Sequence, residues 1–339
     1  MSVIVAFVLF AFVVGVGLLA GFVPGLHPVF GKYLPWLAFA VFLGGVIWRI
    51  YKWASSPVPF RIPSTCGQNK SLDWIKPARL DNPTTTLGVI GRMFLEVLFF
   101  RSLFRNLKSE VHDGPRVAYG SSKWLWVGAM AFHWCFLIIF LRHFRFFLEP
   151  APFFATGLSD LDGFFQIGIP ELYITNILIA LGLSYLFLRR LVNPQVRYIS
   201  LPSDYFPLLL IGGIVVTGIL MRHFSWFRVD LIKVKQLAMG FVAIDPALTV
   251  PKGIGATFWV HLTLICTLLF YFPFSKLMHA GGVFLSPTRN LANNNRAVRH
   301  INPWNPEVEV HEYDHWEHEF HDKIVACGLP LDNPKDEEA

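Results

Sequence analysis

Charge is scarce in this chain. Of its 339 residues only 15% are Asp, Glu, Lys or Arg, against about 25% in a soluble domain, which excludes an ordinary water-soluble fold. Cysteine is scarce as well: Cys66, Cys135, Cys266 and Cys327 lie far apart with no CxxC pair, so neither a disulfide framework nor an iron–sulfur or zinc motif is present. Internal repeats and low-complexity tracts are missing too. Apolar surface, by contrast, is abundant: 54% of residues are hydrophobic and 16% aromatic, with a mean hydropathy of +0.48. A net charge of +6 in such a chain reads as loop topology, and no nucleic-acid partner is expected.

The charges are absent from six windows: Ser2–Gly31, Tyr33–Trp48, Trp124–Leu141, Leu172–Leu188, Tyr205–Met221 and Gly253–Ser275. A spanning helix needs roughly 17–25 apolar residues. Only the second window falls short, and its flanks Lys32 and Arg49 can snorkel to the interface. The first has no basic leader and too long an apolar core for a signal peptide, so it reads as a retained helix. The expected fold is an all-α membrane protein of six transmembrane helices in a bundle. Lys and Arg number nine over 53–122, three over 189–204 and six over 276–339, but none over 146–172. The positive-inside rule therefore puts both termini in the cytoplasm of a multi-pass inner (cytoplasmic) membrane protein. The five basic residues of 222–254 run against it.

Between the second and third windows, Thr84–Thr86 can cap a helix from Leu87 to about Phe104. Its charges Arg92, Glu96, Arg101 and Arg105 do not share a face, and it fits a bilayer-surface helix or a docking platform equally. After Ser275 the chain turns polar, with Pro303 and Pro306. A tail follows in which His311, His315, His318 and His321 alternate with acids. A metal site is one reading of those histidines. Tyr313, Trp316, Phe320 and Ile324 at helical spacing favour an amphipathic docking helix. The expected organisation is two N-terminal spans (1–52), a cytoplasmic loop (53–122), a four-helix core (123–280) and a cytoplasmic tail (281–339).

Histidine within or beside apolar spans is costly and asks for a partner. His133 and His143 lie ten residues apart on the third span; His261 and His279 lie eighteen apart at the sixth. On an α-helix these separations are about 15 Å and 27 Å, and eighteen residues make five turns, which would put the second pair on one face. Because the two spans are antiparallel, His143 meets His261 toward the periplasm and His133 meets His279 toward the cytoplasm. Each couple suits one haem b, for which neutral imidazole is a standard ligand. Arg142, Arg145 and Arg222 are placed to neutralise propionates of the outer haem, and Arg142 and Arg145 are candidates for a quinone pocket by position. Taken singly, each is better explained as a snorkelling anchor. Gly128, Ala129, Ala131, Gly255 and Ala256 would admit a macrocycle or a neighbouring helix. His27 and His223 are weaker ligand candidates, and His112 and His300 read as solvated.

The two histidine spacings resemble those of the gamma (cytochrome b) subunits of respiratory nitrate reductases. That resemblance implies two b haems, ligated by His143 with His261 on the periplasmic side and by His133 with His279 on the cytoplasmic side. The segments SPVPFRIPSTCGQNKSLDWIKPARLDNPTTTLGVIGR, YGSSKWLW, LRRLVNPQVRYISL and FPFSKLMHAGGVFLSPTRNLANNNR resemble the DsrM family, the membrane cytochromes b of Dsr complexes, over nearly the whole chain. An extra N-terminal span distinguishes the chain from the nitrate reductase subunit. The resemblance implies menaquinone chemistry near the periplasmic haem and electron exchange with DsrK, a cytoplasmic iron–sulfur subunit similar to heterodisulfide reductase. It also implies assembly with DsrJ, DsrO and DsrP, and an indirect link to the sulfur carrier DsrC, all in dissimilatory sulfur metabolism. The chain would then be the electron-transfer subunit of a quinone-linked oxidoreductase. Residues alone leave two other classes open: a proton-coupled transporter that uses the histidines as a relay, and a structural anchor for a peripheral enzyme.

Overall fold

Lipid cannot hydrogen-bond a peptide group, so long charge-free runs fold as helices. The computed structural model describes residues 1–58, 68–114, 116–294 and 309–332. Cys66, His300, Pro59, Pro63, Pro303 and Pro306 lie outside the described residues. The chain is mostly helical, and six helices are long and apolar enough to cross a membrane: Ser2–Phe22, Pro24–Ala54, Lys123–Phe146, Ile174–Val192, Pro202–His223 and Ala256–Phe274. The first charge-free window is interrupted near its end, where the helix stops at Phe22 and extended Val23 leads into a tight turn opened by Pro24. The second span runs past Trp48 to Ala54. Its charges lie over aromatic rings, Arg49 at 5.2 Å from the Trp53 centroid and Lys52 at 5.4 Å from that of Trp48, which lets the helix carry them to its end.

The third and fourth spans pack against each other, and the fourth also meets the fifth. The first span lies against the fifth and sixth, and the second against the sixth. Close approach of the first span depends on two glycines one helical turn apart. A Cβ on Gly17 would fall 2.7 Å from the Val260 Cα, and one on Gly21 would fall 2.8 Å from the Ala256 Cα. This is the small-xxx-small geometry by which membrane helices bring backbones together. Ala256 and Gly128 are therefore occupied by helix packing, the latter against the Tyr185 ring.

The sixth helix does not continue unbroken to His279. It ends at Tyr271; Pro273 sits in the first of two 3-10 turns, and Ser275 is extended with its hydroxyl accepting from the Leu277 amide. His279 begins a new short helix, His279–Gly282. The uniform five-turn spacing between His261 and His279 is thus corrected, because proline cannot donate in the helix and its ring crowds the preceding turn.

On the side of the bundle where this short helix lies, Thr85 caps a helix over Thr86–Phe99 by accepting from the Gly88 amide at 3.2 Å. This loop helix is shorter than the sequence suggests. Phe100 takes a left-handed conformation (φ 49°), and a separate turn follows over Arg101–Phe104. The carbonyls at the end of the loop helix accept from indoles of the third span, Leu98 from Trp134 at 3.0 Å and Phe99 from Trp126 at 2.7 Å. Asp81 accepts from both Arg101 and Arg105. Buried Arg92 donates to the Thr288 carbonyl at 2.9 Å, and Asn293 bonds Asn82 and the Pro83 carbonyl, each at 2.7 Å. These contacts latch the loop to the segment after the sixth span. An exposed hairpin, Leu107–His112 with Arg116–Ser121, connects onward to the third span.

The tail forms the helix Tyr313–Ala326. Tyr313, Trp316 and Phe320 follow one another at ring-centroid distances of 5.7 Å, and Ile324 is buried. Glu317, also buried, accepts from the Asp332 amide at 2.6 Å. Among the described residues no three His, Cys, Asp or Glu side chains gather as a metal site. Gly17→Leu should force the first span off the sixth and lower stability by about 1–3 kcal/mol, the usual cost of overpacking. Thermal unfolding of the detergent-solubilised protein reads this as a lower Tm, and Gly15→Leu, where an added Cβ meets nothing within 4 Å, should leave Tm unchanged.

Candidate functional site

Each of the four histidines commits the same ring nitrogen to the protein. His133 Nδ1 lies 2.8 Å from the Ala129 carbonyl, His143 Nδ1 2.6 Å from that of Ile139, and His279 Nδ1 2.8 Å from that of Lys276. A carbonyl only accepts, so in each ring Nδ1 carries the hydrogen and donates. His261 Nδ1 lies 2.8 Å from the Thr217 hydroxyl, which is itself 2.7 Å from the Gly213 carbonyl and 3.1 Å from that of Ile214. The single hydroxyl proton goes to a carbonyl, so Thr217 accepts from the imidazole. All four rings therefore hold the Nδ1–H tautomer and present an Nε2 lone pair. This is the state a metal-ligating histidine needs, with its other nitrogen donating to a fixed partner.

Two of the rings come into contact. The centroids of His133 and His279 are 6.1 Å apart with planes at 82°. Phe100 and Phe132 stand edge-on to His133 at 5.0 and 4.8 Å. His143 and His261 are close enough to interact electrostatically. His261 is buried, whereas His143 is exposed. The two couples differ in depth by ten residues of the third span, about 15 Å.

Beside His143 is a cluster of charge. Arg142 is buried and donates to buried Asp162, which also accepts from the Thr175 hydroxyl and, at 3.2 Å, the Thr175 amide. Arg142 and Arg222 both stack on the Tyr173 ring, at 4.5 and 4.4 Å, and Arg222 donates to the Tyr173 hydroxyl. Arg145 lies over Phe146 at 4.7 Å. The three guanidinium groups act on one another and on His143. Three positive charges face one interacting carboxylate, a surplus of two. The Arg142 Nε is buried and has no hydrogen-bond partner, so one donor of the cluster remains available.

The sequence singled out Arg142 but not the Asp162 that holds it. The visible sign was an acid in the apolar run after the third span. Thr217, forty-four residues from His261, carries no local signal at all. Two other histidines fall outside the couples: His27 stacks on Trp259 at 4.3 Å, and His223 Nε2 lies 2.7 Å from the Asn176 amide nitrogen. His112 is exposed on the hairpin.

Residues 118–300 match the nitrate reductase gamma subunit family, a stretch containing all four paired histidines and Thr217. The chain belongs to that family. Its first two spans and the loop helix precede the matched stretch. A protein of Archaeoglobus fulgidus is 45% identical over 283 residues, 82% of this chain and 84% of the relative. One of Archaeoglobus profundus is 38% identical over 284 residues, 82% and 83% of the two chains. Both are named Hdr-like menaquinol oxidoreductase cytochrome b-like subunit, in keeping with the DsrM-type loop motifs.

Asp162→Asn should leave the Arg142 charge buried beside two other cations. Breaking one partner of a buried pair typically costs about 3–5 kcal/mol. A marked fall in Tm is the expected result, and an unchanged Tm would show that the pair contributes no net stability.

Proposed function

We propose that this chain is a dihaem cytochrome b that carries electrons between menaquinone or menaquinol and a cytoplasmic iron–sulfur subunit. The observation that carries the reading is that all four rings meet the protein through Nδ1, which leaves four Nε2 atoms to ligate at two depths of one bundle. His143 with His261 would hold the haem nearer the periplasm, and His133 with His279 the one nearer the cytoplasm. Bound haem b supplies one-electron redox chemistry at its iron, with a potential set by axial ligands, second-shell hydrogen bonds and local charge. The residues present fit it. Two surplus guanidinium charges and the unpartnered Arg142 Nε match the two propionates of one haem, with Arg145 and Arg222 as the freer donors and Asp162 orienting Arg142.

A quinone site would lie near the outer couple, where Arg142 and Arg145 remain candidates for binding the headgroup. Both relatives are named as menaquinol oxidoreductase subunits, which supports menaquinone. The DsrM-type loop motifs support DsrK as the cytoplasmic partner, DsrJ, DsrO and DsrP as co-subunits, DsrC as the sulfur carrier served indirectly, and a role in sulfur metabolism. Both termini would be cytoplasmic in the inner membrane, with 1–52, 53–122, 123–280 and 281–339 as the working units. Among the basic residues that run against this orientation, Arg222 belongs to the buried cluster, and Lys233 and Lys235 pair with Asp230 and Glu149.

A reduced-minus-oxidised optical spectrum of the purified chain should show a b-type α band at two haems per chain. His261→Ala should reduce the content to one, and His133→Ala should do the same for the other couple. A chain with no b-type band would be an anchor or a proton-relaying transporter, and loss of both haems from either variant would refute the pairing.

A further inference from the structure

Three of the four histidines donate Nδ1–H to a carbonyl of their own segment, three or four residues back. Those acceptors are backbone and come with local helical geometry. His261 differs in meeting a side chain: its Nδ1 lies against the Thr217 hydroxyl of the neighbouring fifth span, with the Ile214 carbonyl of that span also in reach. We infer that Thr217 is the positioning residue for His261 and sets the redox poise of the couple to which His261 belongs. The inference rests on the haem reading above.

The hydroxyl has the right connections for that task. Its proton is held by the Gly213 carbonyl at 2.7 Å, with that of Ile214 at 3.1 Å, so its lone pair is oriented toward the ring. Fully buried Leu264 and Leu210 and buried Val260 pack at the same contact between the fifth and sixth spans, so the two helices cannot easily slide to offer a substitute. A hydrogen bond on Nδ1 makes imidazole a stronger donor through Nε2, which favours the oxidised metal. Removing the acceptor should weaken that donation and raise the potential. Because a hydroxyl is a side chain, residue 217 tunes one couple without touching the other.

The test is a potentiometric titration of the two haems, followed optically, in the full-length chain and in Thr217→Val and Thr217→Ser. Valine keeps the shape and removes the acceptor; serine keeps the acceptor. Thr217→Val should raise the midpoint of one haem and leave the other in place, while Thr217→Ser titrates as the parent does. Loss of a single haem from the valine variant alone would support the inference equally. Unchanged midpoints in Thr217→Val would overturn it, as would a downward shift caused by the Ile214 carbonyl taking the proton, or the same change in both variants. A parent chain without b-type haem would refute the haem reading itself, and the inference with it; a parent with two haems and an indifferent residue 217 would refute the inference alone.

Discussion

A ring nitrogen that bears a hydrogen at membrane depth must give it to something, and lipid accepts nothing. This constraint organises the bundle. Each of the four histidines meets it through Nδ1, and that choice fixes the tautomer, the ring plane and the direction of Nε2. Three of them use carbonyls of their own segment, so their orientation depends on little beyond local backbone geometry. His261 needs the fifth span as well, which ties two helices to one imidazole. On the other side of the sixth span, Gly17 and Gly21 let the first span press against the backbone of Val260 and Ala256, one residue before His261 and at the start of its helix.

The charge cluster beside His143 follows from the same scarcity of water. A guanidinium deep in a bundle requires a counter-charge and hydrogen-bond acceptors, and Asp162 with Thr175 provides both for Arg142. Arg222 and Arg145 are accommodated differently, over aromatic faces and, for Arg222, against a phenol oxygen. One buried acid is too few for one buried and two half-buried bases. The surplus leaves positive charge beside His143, whereas His133 stands among phenylalanines.

Much of this was legible in the sequence, because lipid imposes strong patterns. Charge-free runs marked the six spans, and unusual histidines marked the couples. What local pattern could not supply was anything decided by a partner distant in the chain. Asp162 reads as an ordinary loop acid until Arg142 is brought to it, and Thr217 reads as a helix threonine bonded to its own backbone. Lys52 and Arg49 look like the end of a helix until tryptophan faces are found to receive them. Breaks inside helices were hidden as well. Composition alone does not reveal that Phe100 turns left-handed, since the indoles that take the preceding carbonyls come from the third span. Pro273 did give notice of an interruption, but eighteen-residue arithmetic passed over it.

The capping of the loop helix by Trp126 and Trp134 has a mechanical side. Ordinarily the end of a surface helix frays into water, and what touches it is not felt inside. Here the last carbonyls are bolted to the helix that carries His133, and Phe100 rests its ring on that histidine. A displacement of the loop helix would therefore be felt at the third span, close to His133 and His279. Two hydrogen bonds and one ring contact thus join the loop helix to the span that carries His133.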